Sequence, residues 1–126
     1  MRNANRFGLP LALVAGCLTA MNAQAALDVA GQRETKSLLD FVGNSHCQFI
    51  RNGSTYSAAQ AQAHLQSKLD YLVRKDMVNS AEQFIDRAGS RSSMSGTPYK
   101  VNCDGKEQLS SVWLTDELQR LRKAHP

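Results

Sequence analysis

The sequence predicts an α+β fold, mostly helical, with about four helices and one short two-stranded antiparallel sheet. Three observations carry this expectation. Apolar residues recur at helical spacing in several segments of the 126-residue chain, two of them opened by a serine with a glutamine three residues on. Two brief runs, Cys47–Arg51 and Tyr99–Cys103, are rich in strand-forming residues and end in Asn52-Gly53 and Asp104-Gly105. Each run also holds one cysteine.

Residues 1–25 are set apart first, because they read as an export leader. Arg2 and Arg6 give a basic start, Phe7–Ala20 is apolar and uncharged, and Ala23-Gln24-Ala25 supplies a small-x-small cleavage pattern. The apolar stretch falls short of the roughly 20 residues that span a bilayer. Gly8, Pro10 and Gly16 interrupt it as well, against a membrane anchor or a buried first helix. Val14-Ala15-Gly16-Cys17 also has the form of a lipobox, which would acylate Cys17. The apolar residues after Cys17 differ from the polar tether of such lipoproteins. Cleavage near Ala25 and release to the periplasm or medium is therefore the expectation, with a lipoprotein anchored through Cys17 as the alternative. Residues 26–126 then form a single domain without a membrane-spanning segment.

Charge excludes one class of partner. Without Arg2 and Arg6 the fifteen basic residues fall to thirteen against eleven acids, a formal charge of +2. No run of five like charges occurs, so nucleic-acid binding has no support. With Cys17 gone, Cys47 and Cys103 make an even pair, which in an oxidising compartment reads as a disulfide. A metal site from His46, Cys47 and Cys103 is the alternative, though it lacks paired short ligand spacings.

In chain order, Leu38, Leu39 and Val42 define a first helix beginning near Gln32, since Gly31 weakens the turn before it. Gly43-Asn44-Ser45 ends it. Cys47–Arg51 is the first strand and Asn52-Gly53 a turn. No matching strand is expected directly after that turn, because Ser54-Thr55-Tyr56 leads into an alanine-rich helix. Ser57 and Gln60 cap this helix, whose Ala58, Ala61, Leu65, Leu69 and Leu72 share one face. It fades near Arg74 or Lys75. Ser80 and Gln83 open a shorter helix with Ala81, Phe84, Ile85 and Ala88 inward and Gly89 as its stop.

Ser90–Pro98 is a loop of small polar residues, and Tyr99–Cys103 is the partner strand. Paired antiparallel, Cys47 falls opposite Cys103, Phe49 opposite Val101 and Arg51 opposite Tyr99, all on one face. A final helix from about Ser111 carries Leu114, Leu118 and Leu121, with Trp113 at the edge of the core.

FIRNG (49–53), AHLQSK (63–68), SAEQFIDRAGSRSSMSG (80–96) and TPYKV (97–101) together resemble the YfeK-type family of small exported bacterial proteins, a domain of unknown function. The resemblance covers about half the chain after the leader. It implies export and domain identity, and no activity.

The antiparallel register brings two polar loops to one end of the strand pair. Arg51, Asn52, His64, Lys68, Ser93, Ser95 and Tyr99 are therefore candidates to line one pocket, with Arg51 and Gly/Ser backbone amides suited to an anion. A small anionic ligand or cell-wall fragment is the expected occupant of a non-enzymatic binding module. The alternatives are a module that binds an envelope protein, and a small hydrolase with Ser93 or Ser95 as nucleophile and His64 as base. No G-x-S-x-G elbow, H-E-x-x-H, P-loop or dinucleotide fingerprint is present, so no catalytic residue, metal or cofactor is assigned.

Overall fold

A computed structural model describes residues 26–125. The leader and Cys17 lie outside the described residues. Helix α1 (Val29–Gly43) is followed by strands β1 (Gln48–Arg51) and β2 (Ser54–Tyr56). Helices α2 (Ala58–Arg74) and α3 (Ala81–Arg87) come next, then β3 (Lys100–Cys103), β4 (Lys106–Leu109) and α4 (Ser110–Ala124).

The α+β class and the four helices agree with the sequence; the sheet does not. It has four antiparallel strands in the order β2-β1-β3-β4, not two. The two extra strands come from the two turns. Asn52 and Gly53 have φ of 51° and 79°, and Asp104 and Gly105 have 55° and 86°. Positive φ at both central residues matches the right-handed twist of paired strands, so each dipeptide closes a two-residue hairpin. Arg51 accordingly pairs with Ser54 and Cys103 with Lys106. Neither β2 nor β4 shows apolar alternation, because both are outer strands with little buried area. The turn, not the strand composition, carried the signal.

The central register is the expected one. Phe49 faces Val101, flanked by Gln48–Asn102 and Ile50–Lys100. Phe49 and Val101 are buried while Gln48 and Lys100 are exposed, so one face meets the helices and the other meets water. Cys47 and Cys103 form a disulfide with Cα atoms 4.6 Å apart. With both sulfurs in that bond, the proposed His46, Cys47 and Cys103 metal site has no thiolate to offer.

Helix α1 starts three residues before the expected Gln32, because the Asp28 carboxylate accepts from the Gly31 amide at 2.7 Å and caps it. The Ser57–Gln60 box is reciprocal. In the second box Ser80 accepts from the Gln83 amide, but the Gln83 side chain turns to the Asn79 amide instead. Gly89 follows α3 as expected, though not in a left-handed turn. A Cβ there would stand 2.7 Å from Leu114 Cδ1, so a side chain at this position would have to displace the buried Leu114 methyl.

The core gathers Leu38 and Val42 of α1, Leu65, Leu69 and Leu72 of α2, Phe84 of α3, Val101 of β3 and Leu114 of α4. Phe84 has no exposed area, and its truncation to alanine would cost about 3–5 kcal/mol. Trp113 closes the sheet end, its ring centroid 4.4 Å from Phe41 and 5.5 Å from Phe49. At the far side, Arg122 of α4 binds Glu34 of α1 and Glu82 of α3 through four hydrogen bonds of 2.6–3.0 Å.

Candidate functional site

The site forms where the sheet's covered face meets α2, at the end of β1 and β3 away from the disulfide. Alternation along β1 puts Arg51 on the same face as Phe49. The hairpin brings Tyr56 opposite Phe49, one diagonal step from Arg51. Arg51 Nη2 donates to Tyr56 Oη at 2.9 Å, and its guanidinium lies 4.8 Å from the Tyr56 ring centre. Tyr99, just before β3, is held by two backbone bonds: its amide donates to Ser90, and its carbonyl accepts from Ser110.

Around the Tyr99 hydroxyl two residues of α2 converge. Lys68 Nζ donates to Tyr99 Oη at 3.1 Å and to the Arg91 carbonyl at 3.0 Å. His64 Nε2 lies 3.1 Å from the same hydroxyl. A chain in which Lys68 donates to Tyr99 and Tyr99 donates to a neutral His64 satisfies all three groups. The electrostatics agree. Burial, then the charges of Arg51 and Lys68, pull the His64 pKa below its ordinary value. Burial, with Arg51 and Arg91 beside it, brings Lys68 from 10.5 to about 8. Burial raises the Tyr99 pKa, against the opposing pull of Arg51. Among the described residues neither Arg51 nor Lys68 pairs with a carboxylate. Positive charge is gathered here without compensation.

Of the seven candidates, Arg51, His64 and Tyr99 line one groove of about 310 Å³, whose walls include Phe49, Ala61 and Leu65. Lys68 and Ser93 line a different, larger groove of about 840 Å³ beside Arg91, and the Tyr99 hydroxyl, in contact with both His64 and Lys68, links the two. The expected single pocket is thus two grooves that follow one another along α2, divided where His64 and Lys68 both meet the Tyr99 hydroxyl. Asn52 and Ser95 line neither. Their side chains bond each other at 2.6 Å and clasp the β1–β2 turn to the serine loop. Ser92, which the sequence did not single out, is buried and accepts from Asn52, Met94 and Ser95 as the hub of that loop. In the hydrolase reading Ser93 or Ser95 would bond His64; here the partner of His64 is Tyr99 and that of Ser95 is Asn52.

Tyr56 was missed with its strand. The Asn52-Gly53 turn already placed it opposite Phe49, and so on the site face.

Residues 29–122 match the profile of DUF5329, described as a family of unknown function, and the chain belongs to that family. It is also similar to the uncharacterized protein YfeK of Salmonella typhimurium, with 41% identity over 51 residues. That match covers 40% of this chain and 41% of YfeK, so the aligned part spans about two-fifths of the curated relative. No solved structure matches the chain.

Proposed function

We propose that this DUF5329 domain is a non-enzymatic binding module of the bacterial envelope that takes a small anionic ligand, such as a cell-wall fragment, on Arg51. The single observation behind this reading is that Arg51 stands at the rim of a groove without a carboxylate partner. An arginine left open in this way keeps planar donors free for a carboxylate or phosphate. Lys68 supports the reading from the other side of Tyr99, since an anion nearby would offset the burial and the repulsion by Arg51 and Arg91 that lower its pKa.

Export is part of the proposal. The disulfide suits an oxidising compartment, and no described helix is long and apolar enough to cross a membrane. Intact mass of the exported protein tests it: a chain beginning at Ala26 supports release, whereas acyl chains on Cys17 would place it on a membrane as a lipoprotein.

Binding is tested by thermal unfolding with muropeptides, inorganic phosphate and short carboxylates. A binding anion raises the melting temperature in proportion to the logarithm of its concentration over Kd. Arg51→Ala should abolish the rise without lowering the melting temperature of the unliganded protein. A panel in which no anion stabilises the wild type contradicts the proposal. A second reading, a module that binds an envelope protein, draws on the two outer strands, whose open edges admit an added strand. It predicts a co-purifying partner that survives Arg51→Ala.

A further inference from the structure

The walls of the groove narrow the kind of anion it would take. Phe49 and Leu65 are buried core residues that show their edges there, Ala61 and Ala63 present methyl groups, and Tyr56 and Tyr99 contribute rings. Of the two cations that line it, Arg51 and Lys100, only Lys100 has a carboxylate partner among the described residues, Glu107 at 3.5 Å. His64 is held neutral by burial and by its cationic neighbours, so it adds a polar edge rather than a charge. A compact polar anion such as phosphate would engage Arg51 and leave the apolar walls in water.

We infer that the ligand is an amphiphilic monocarboxylate: one carboxylate on the Arg51 guanidinium and an unbranched or aromatic apolar body along Phe49, Ala61 and Leu65. This rests on the anion-binding reading above and names the ligand class for that site. The groove volume of about 310 Å³ sets its size. It lies at the lower end of the roughly 300–1,000 Å³ found for small-molecule sites, so a short amphiphile such as octanoate is the probe of choice. Small-molecule sites of this kind bury most of the ligand in apolar contact and orient it with a few placed polar groups.

Isothermal titration of the full domain compares octanoate with its parts: acetate and inorganic phosphate for the head, octanol for the tail. Each buried methylene is worth about fourfold in affinity, so octanoate should bind at least about tenfold tighter than acetate. Arg51→Ala should weaken octanoate by about tenfold or more, whereas Arg51→Lys should retain part of the affinity. Ala63 is exposed, so Ala63→Leu leaves the core untouched while narrowing the groove. It should shift the best chain length below eight carbons and leave acetate unaffected. If acetate or phosphate binds as tightly as octanoate, the amphiphile inference is overturned and the anion site stands. If octanol binds as tightly as octanoate, or if none of the four binds, both readings fall.

Discussion

Two arginines define opposite ends of this molecule. Arg122 is clamped by Glu34 and Glu82 with four hydrogen bonds, which joins three helices. Arg51 has one phenol and one aromatic face, and no carboxylate. Both are partly exposed, one at the end of a strand and one on a helix, so side-chain type alone does not distinguish them. Compensation does. Where a cation meets its counter-charge the pair is spent on holding elements together; where it does not, the charge stays available and depresses the pKa values of its neighbours. The acids around Arg122 are held low by its hydrogen bonds, while the bases around Arg51 are pushed low first by burial and then by its charge.

The strongest way to break the contrast is to weaken the scaffold while leaving both arginines in place. Replacing Cys47 and Cys103 together by serine opens a loop with a sequence separation of 56 residues. It should cost about 4 kcal/mol in denaturant unfolding. The Arg51 end should keep its ligand response wherever the variant is folded.

Arg122→Ala should cost roughly 1 kcal/mol, since Arg122 and Glu82 are 44% and 58% exposed and water screens the clamp. Its pH signature is more specific. Glu34 and Glu82 have folded pKa values below the ordinary 4.5, so the clamp contributes fully above that value. The contribution is lost as pH falls through the lowered folded values. Arg122→Ala should flatten the acid limb of a stability–pH curve, and an unchanged limb would contradict the clamp.

Arg51→Ala should change stability by no more than about 0.5 kcal/mol. It should also raise the Lys68 pKa from about 8, read by NMR titration of the side chain. For Lys68 the slope with pH has the same sign as for the clamp, but it falls in the alkaline range and reflects a burial cost that deprotonation relieves. Its folded pKa lies below the unfolded value, so the unfolded chain binds the extra proton between about 8 and 10.5. Stability should therefore rise with pH through that window, and Lys68→Met should remove the rise. Lys68 is only half-buried, so screening by water makes this rise smaller than the pKa window alone would give.

The sequence was most legible where side-chain pattern and covalent logic agreed. Cys47 opposite Cys103 fixed a register that Phe49 and Val101 confirm. The helices followed from their apolar stripes and, for α2 and α3, from their serine caps, whereas the Asp28 cap of α1 was not read and α4 has none. The outer strands were hidden because Ser54-Thr55-Tyr56 and Lys106-Glu107-Gln108-Leu109 bury too little to need alternation. Their turns, with positive φ at Asn52-Gly53 and Asp104-Gly105, mark them where strand composition does not. At the site, Arg51, His64, Lys68 and Tyr99 were legible from register and helix spacing. Asn52 and Ser95 were not separable from them, because a loop clasp and a ligand contact use the same residue types. The Arg122 clamp was also beyond reach: its partners lie 88 and 40 positions away, and no local pattern links them.

The most direct measurement follows the Nε–Hε signals of Arg51 and Arg122 in one ¹H–¹⁵N spectrum as inorganic phosphate is added. The account predicts a saturable shift of the Arg51 signal while that of Arg122, held between Glu34 and Glu82, stays in place. Signals that move together with bulk ionic strength, or an Arg51 signal that does not move, would contradict it.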